Sequence, residues 1–113
     1  RDMLHVDDLY DLLCIQLKDI EKHNGKIYNV GGGKELSISL QELTRLCQET
    51  TNNNIKIDEV PKNRDADIPY YVTDISKISK ETGWKPKKST KVIIQEITDW
   101  INNNKKMLEP LFA

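Results

Sequence analysis

Apolar residues at Val6, Leu9, Tyr10, Leu13, Leu17 and Ile20 recur at intervals of three and four, with Asp7 and Asp8 at the start and Lys22, His23, Asn24 and Gly25 at the end. This spacing predicts an amphipathic helix over about 6–23. Lys26–Val30 is a short β-prone run closed by Gly31-Gly32-Gly33, which reads as a strand ending in a loop of unusual backbone angles. Ser39 and Glu42 then form a capping box, and Ile38 is placed to staple onto Leu43. A helix therefore starts near Leu40 with Leu40, Leu43, Leu46 and Cys47 as its buried stripe. Thr50–Asn54 is polar and ends it, and Ile55–Val60 alternates until Pro61. Strand, helix, strand in this order suggests a right-handed parallel βαβ unit.

The segment 61–71, PKNRDADIPYY, is polar, holds two prolines and has no period, so it reads as a loop. Asp74 is a good N-cap for a short helix ending at Gly83, with Trp84 able to fold back on Ile78. Ser89 or Thr90 caps the last helix, whose apolar face is Ile93, Ile97, Trp100 and Ile101, before a weakly patterned tail. The expected fold class is α/β in one domain, 1–113: a small, mostly parallel sheet at 26–31 and 55–60, with helices near 6–23, 40–50, 74–82 and 90–104.

Composition narrows the functional classes. The 113 residues carry 17 basic and 18 acidic side chains for a net charge of −1, so no electrostatic surplus marks a nucleic-acid or anionic-membrane binder. Hydrophobic residues make up 37%, which is lean for a self-contained core yet too apolar for disorder. No run approaches the ~18 apolar residues that span a bilayer. Cys14 and Cys47 stand apart without a C-x-x-C pattern, as in a reduced, cytoplasmic protein. A chain opening Arg-Asp, without an initiator Met, looks like the middle of a longer protein.

Little in the residues carries chemistry outright. The triple glycine invites a phosphate-loop reading but fits neither template. G-x-G-x-x-G needs a glycine where Leu36 stands, and Gly33-Lys34 is followed by Glu35 rather than Ser or Thr. Turn and packing explain it better. His5 and His23 are far apart and outside any Cys/His cluster, which leaves a zinc site without support and His5 as a structural histidine. The cysteines read as buried thiols, and the lysines at 85, 87, 88 and 91 as a solvated turn. Arginine is scarce: Arg1, Arg45 and Arg64 stand among 17 basic residues, the rest being lysine. Where lysine serves most solvated positions, an Arg at a loop edge hints at the bidentate fork that grips phosphate or carboxylate. A local salt bridge from these arginines to Asp2 or Asp67 is the alternative.

Three strings in order, RDMLHVDDL, YNVGGGKELSISLQEL and RDADIPYYVTDISKISKETGWKPK, resemble the C-terminal part of the extended short-chain dehydrogenase/reductase family, the NAD-dependent nucleotide-sugar epimerases and dehydratases. The similarity runs over nearly the whole chain. It implies a parent enzyme, an epimerase, whose N-terminal Rossmann domain binds NAD and supplies a Tyr-x-x-x-Lys pair. Four residues on from each tyrosine stand Cys14, Gly32, Asp74 and Ile75, so these residues hold no such pair, and the chain alone is expected to be inactive and to bind no cofactor. The resemblance further implies a nucleotide-diphosphate sugar as ligand. Arg1 and Arg64 would meet the diphosphate, Asp67 the sugar nucleotide or its supporting shell, and Tyr71 matches an aromatic position. Ala66 departs from the glycine common in that loop. The implied partners are the substrate and the parent's own N-terminal domain, with no nucleic acid or membrane and with a homo-oligomeric parent allowed. A dehydratase or reductase of the same architecture, or a free-standing interaction module, are the alternatives.

Overall fold

The computed structural model describes residues 1–58, 60 and 66–112. Helices are α1 (Val6–Lys18), α2 (Ile20–His23), a 3-10 turn at Lys34–Leu36, α3 (Leu40–Thr51), α4 (Ser76–Thr82), α5 (Thr90–Asn103) and α6 (Lys105–Phe112). Local signals set most of their ends. The Ser39 hydroxyl accepts from the Glu42 amide while the Glu42 carboxylate takes the Ser39 amide, completing the capping box. The Ser89 side chain accepts from the Val92 amide, and the Asp74 carboxylate from the Ser76 amide just ahead of α4. Gly83 stops α4 at φ +74°, a conformation that glycine adopts without strain.

The expected parallel sheet is not formed. Among the described residues the β-structure is one isolated antiparallel bridge, Asp2 to Ser37. Residues 26–31 pair with no other backbone in a ladder: Tyr28 and Val30 pack on the core, and the Ile27 carbonyl accepts from the Lys77 side chain at 2.9 Å. In the 55–60 run, where Glu59 lies outside the described residues, the described residues form no strand for a similar reason. Gln48 Nε2 on α3 takes the Ile55 carbonyl that a ladder would use, and Ile55 and Ile57 lie along α3 instead. A β-prone run becomes a strand only when another backbone pairs with it.

The expected first helix is also divided. Asp19 (φ −133°, ψ 52°) separates α1 from α2, and the N-cap is His5, whose Nδ1 accepts from the Asp7 amide at 3.0 Å. Among the described residues the buried hydrophobic side chains are Leu12, Ile78, Trp84 and Ile93, with Leu4, Ile15, Tyr28, Val30 and Ile75 packed around the first three. Trp84 does fold onto Ile78. The apolar stripe of α1, however, faces outward, as does Leu40 on α3, and Ile97, Trp100 and Ile101 on α5 are about half exposed. No helix among the described residues is long and apolar enough to cross a membrane.

Polar groups tie these elements together. Asp8 is 3% exposed, and its two carboxylate oxygens accept the Lys87 and Lys88 amides at 3.1 Å each. Trp84 Nε1 donates to the Asp8 carbonyl at 2.8 Å. The turn expected to be solvated is therefore pinned. Lys88 Nζ lies 2.8 Å from Asp7 and 2.7 Å from Glu96, and these two carboxylates raise its pKa.

A second network joins α2 to α4. Tyr28 donates its hydroxyl proton to Glu81 Oε2 at 2.6 Å and accepts from Nδ1 of the buried His23 at 3.0 Å. Lys26 Nζ reaches the same Glu81 oxygen at 2.8 Å. Hydrogen bonds from Lys26 and Tyr28 bring the Glu81 carboxyl down to about 2. Because its folded pKa lies below the unfolded value, its stabilisation is present above about pH 5 and is lost as pH falls toward 2. In thermal melts the gap between wild type and Glu81→Gln should therefore close over that window. A gap constant from pH 6 to 2 would refute the coupling.

Candidate functional site

The first three residues run antiparallel to 36–38. The Arg1 backbone nitrogen donates to the Ile38 carbonyl at 3.1 Å, Ile38 returns a bond to the Arg1 carbonyl at 2.8 Å, and the Met3 amide donates to the Leu36 carbonyl. Asp2 locks this ribbon to two other segments, accepting from the Gly33 amide at 3.0 Å and the Thr73 amide at 3.2 Å. Burial alone would raise the Asp2 pKa, but these donations outweigh it and hold the carboxyl below its ordinary value.

That lock explains the triple glycine. Gly31, Gly32 and Gly33 are buried, and Gly33 has φ +71°. A Cβ at Gly31 would meet the side chains of Thr73 and Asp2, and one at Gly32 the Met3 carbonyl oxygen. The turn is thus a packing device. With the Asp2 carboxylate already on the Gly33 amide, an anion occupies the place where a cofactor pyrophosphate would need donors, and these residues do not fit that group.

With its backbone fixed, Arg1 extends its guanidinium along the rim of a groove of about 750 Å³, lined also by Ser39, Leu40, Asp67, Ile68 and Tyr70. Arg1 Nη2 lies 3.1 Å from Asp67 Oδ1, and both side chains are about half exposed. Two sequence-predicted residues, 66 positions apart, are therefore brought together. Tyr71 is exposed and is not in the groove lining, where Tyr70 stands in its place. Arg64 lies outside the described residues. Sequence reading missed Tyr70 and Ser39 as lining residues: either tyrosine of the Pro-Tyr-Tyr run could face the groove, and the capping box gave Ser39 a sufficient local role.

Elsewhere, His5, Asp7 and Glu96 bring ligand-type atoms within 4.8 Å of one another. The Lys88 ammonium already supplies positive charge to both carboxylates. His5 Nε2 sits 3.0 Å from Glu96 Oε2, which together with its N-cap role makes His5 structural.

Comparison with known proteins now adds to this geometry. The chain is 34% identical to CDP-paratose 2-epimerase of Salmonella typhi over 103 residues, covering 91% of this chain and 30% of that enzyme. It is 38% identical to UDP-arabinose 4-epimerase 1 of Arabidopsis thaliana over 87 residues, 77% of this chain and 20% of the relative. Against dTDP-glucose 4,6-dehydratase of Streptomyces antibioticus the identity is 29% over 111 residues, 98% and 32% of the two chains. No family model and no solved structure matches.

These matches fit a C-terminal portion of an enzyme of the NAD-dependent epimerase/dehydratase family. Within the family, the triple glycine of YNVGGG and the R-x-A-D-I-P loop resemble the CDP-paratose 2-epimerase branch. The chain spans about a fifth to a third of the length of these relatives.

Proposed function

We propose that this chain is the substrate-binding portion of a cytoplasmic, NAD-dependent nucleotide-sugar epimerase, and that the rest of the parent binds the cofactor and carries out hydride and proton transfer. The observation that carries this reading is the convergence of Arg1 and Asp67, from two strings that resemble those of the epimerases, on one open groove. Arg1 offers its fork to the substrate diphosphate from a backbone held by Ile38 and Asp2. Arg64, three residues before Asp67 in the R-x-x-D string, is the second arginine that the family resemblance assigns to the diphosphate. Tyr70 supplies an aromatic wall. Alone, the 113 residues turn over nothing.

Each arginine would add a charge-assisted contact worth about 1.5–3 kcal/mol. Because the diphosphate is held equally in ground and transition states, Arg1→Ala or Arg64→Ala in the full-length enzyme should raise KM for the nucleotide sugar by about tenfold or more while kcat falls less. Arg64→Lys should restore only part of the loss, since a point charge cannot reproduce the fork. Unchanged KM in both alanine variants would end this reading.

A dehydratase is the second reading, favoured by similarity to dTDP-glucose 4,6-dehydratase across nearly the whole chain. Binding residues do not dictate which reaction the cofactor performs. Product analysis separates the two: an epimer of unchanged mass against a product lighter by one water.

A further inference from the structure

The outer side of α1 is an apolar feature left open. Val6, Tyr10, Leu13 and Leu17 follow helical spacing and are 69, 65, 48 and 67% exposed, while Asp8, Leu12 and Ile15 on the other side pack inward. A helix apolar on both sides belongs between two layers, and the fold supplies one. The chain is also open for its length. Its radius of gyration is 17.5 Å, against about 13 Å for a compact domain of this size.

We infer that the outer side of α1 is the surface on which the remainder of the parent polypeptide packs. The inference rests on the reading of this chain as part of a longer epimerase or dehydratase, and it names the face that joins the two parts. The occupant follows from length and chemistry. The matched relatives are three to five times as long as this chain's share of them, so ample polypeptide exists to cover an apolar stripe. A tethered partner docks at an effective concentration of about millimolar, so it needs less buried area than the ~1,000 Å² expected of freely associating proteins. Val6 stands five residues after Arg1, at most about 18 Å along an extended chain, so the docked layer lies beside the groove rim.

The test is thiol accessibility in the full-length parent, on a Cys14→Ser, Cys47→Ser background. Leu13→Cys, on the outer stripe, is compared with Lys18→Cys at the exposed end of the same helix. Leu13→Cys should react with a maleimide at least tenfold more slowly than Lys18→Cys, and the two rates should converge in urea. Equal rates in the native parent overturn the inference. So does protection of Leu13→Cys that vanishes on dilution, because a second copy is then the occupant. Turnover of nucleotide sugar by the wild-type parent is scored separately, so protection with no such activity sinks the functional reading while leaving the docking face in place.

Discussion

Asp8→Ala should destabilise the fold by about 2–4 kcal/mol, a loss large enough to show as a clear drop in denaturant midpoint. Asp8 is 3% exposed, and among the described residues its carboxylate is the hydrogen-bond acceptor for two backbone amides, Lys87 and Lys88. Alanine takes the acceptor from both part-buried donors, and each orphaned group costs roughly 1–3 kcal/mol. Asp8→Asn is the informative partner. It keeps one acceptor oxygen and presents an NH₂ to the other amide, so its cost should fall between wild type and alanine. Neither substitution touches the groove. If Asp8→Ala shifts stability by less than about 0.5 kcal/mol, the ordinary effect of a surface change, the carboxylate is not what holds the 84–88 turn against α1.

This turn also marks the limit of what the sequence discloses. Caps and stops were legible because their partners lie within a few residues: Ser39 with Glu42, Ser89 with Val92, Gly83 after Thr82, and Trp84 returning to Ile78. Asp8 could be read only as a favourable charge in a first turn, since its true partners lie 79 and 80 residues away. The sheet was misjudged because alternation in 26–30 and 55–60 records an extended habit and says nothing about a pairing backbone. Periodicity found the α1 helix but not its orientation, as both Leu12 and Leu13 are apolar and only tertiary contact decides which turns inward. The last residues carry little pattern in sequence, yet Lys105–Phe112 is helical with Pro110 in its last turn. At the site, the residues alone offered no more than the scarcity of arginine. Family strings singled out Arg1 and Asp67, and the fold brings them within 3.1 Å.

Gly32→Ala should be the most damaging single-methyl change in the chain, costing about 3 kcal/mol of stability and weakening ligand binding with it. The added Cβ would collide with the Met3 carbonyl oxygen, and since that neighbour is backbone, no rotamer change relieves the clash. The first residues and the 31–36 turn must move apart. That movement strains the Met3 to Leu36 bond at 3.0 Å and the Asp2 grip on Gly33, which together hold the backbone from which Arg1 reaches the groove. Gly25→Ala is the control. Gly25 has φ +71° but open space around its Cβ position, so alanine there incurs only backbone strain of about 1 kcal/mol. Melting temperatures of both variants in the full-length enzyme, with KM for the nucleotide sugar, separate the cases. Gly25→Ala should leave KM unchanged, whereas Gly32→Ala should raise it even at temperatures where the variant remains folded. Equal stability losses at the two glycines would mean that the close approach of the Met3 carbonyl to Gly32 costs no more than the left-handed backbone at Gly25, and the account of the triple glycine would fail.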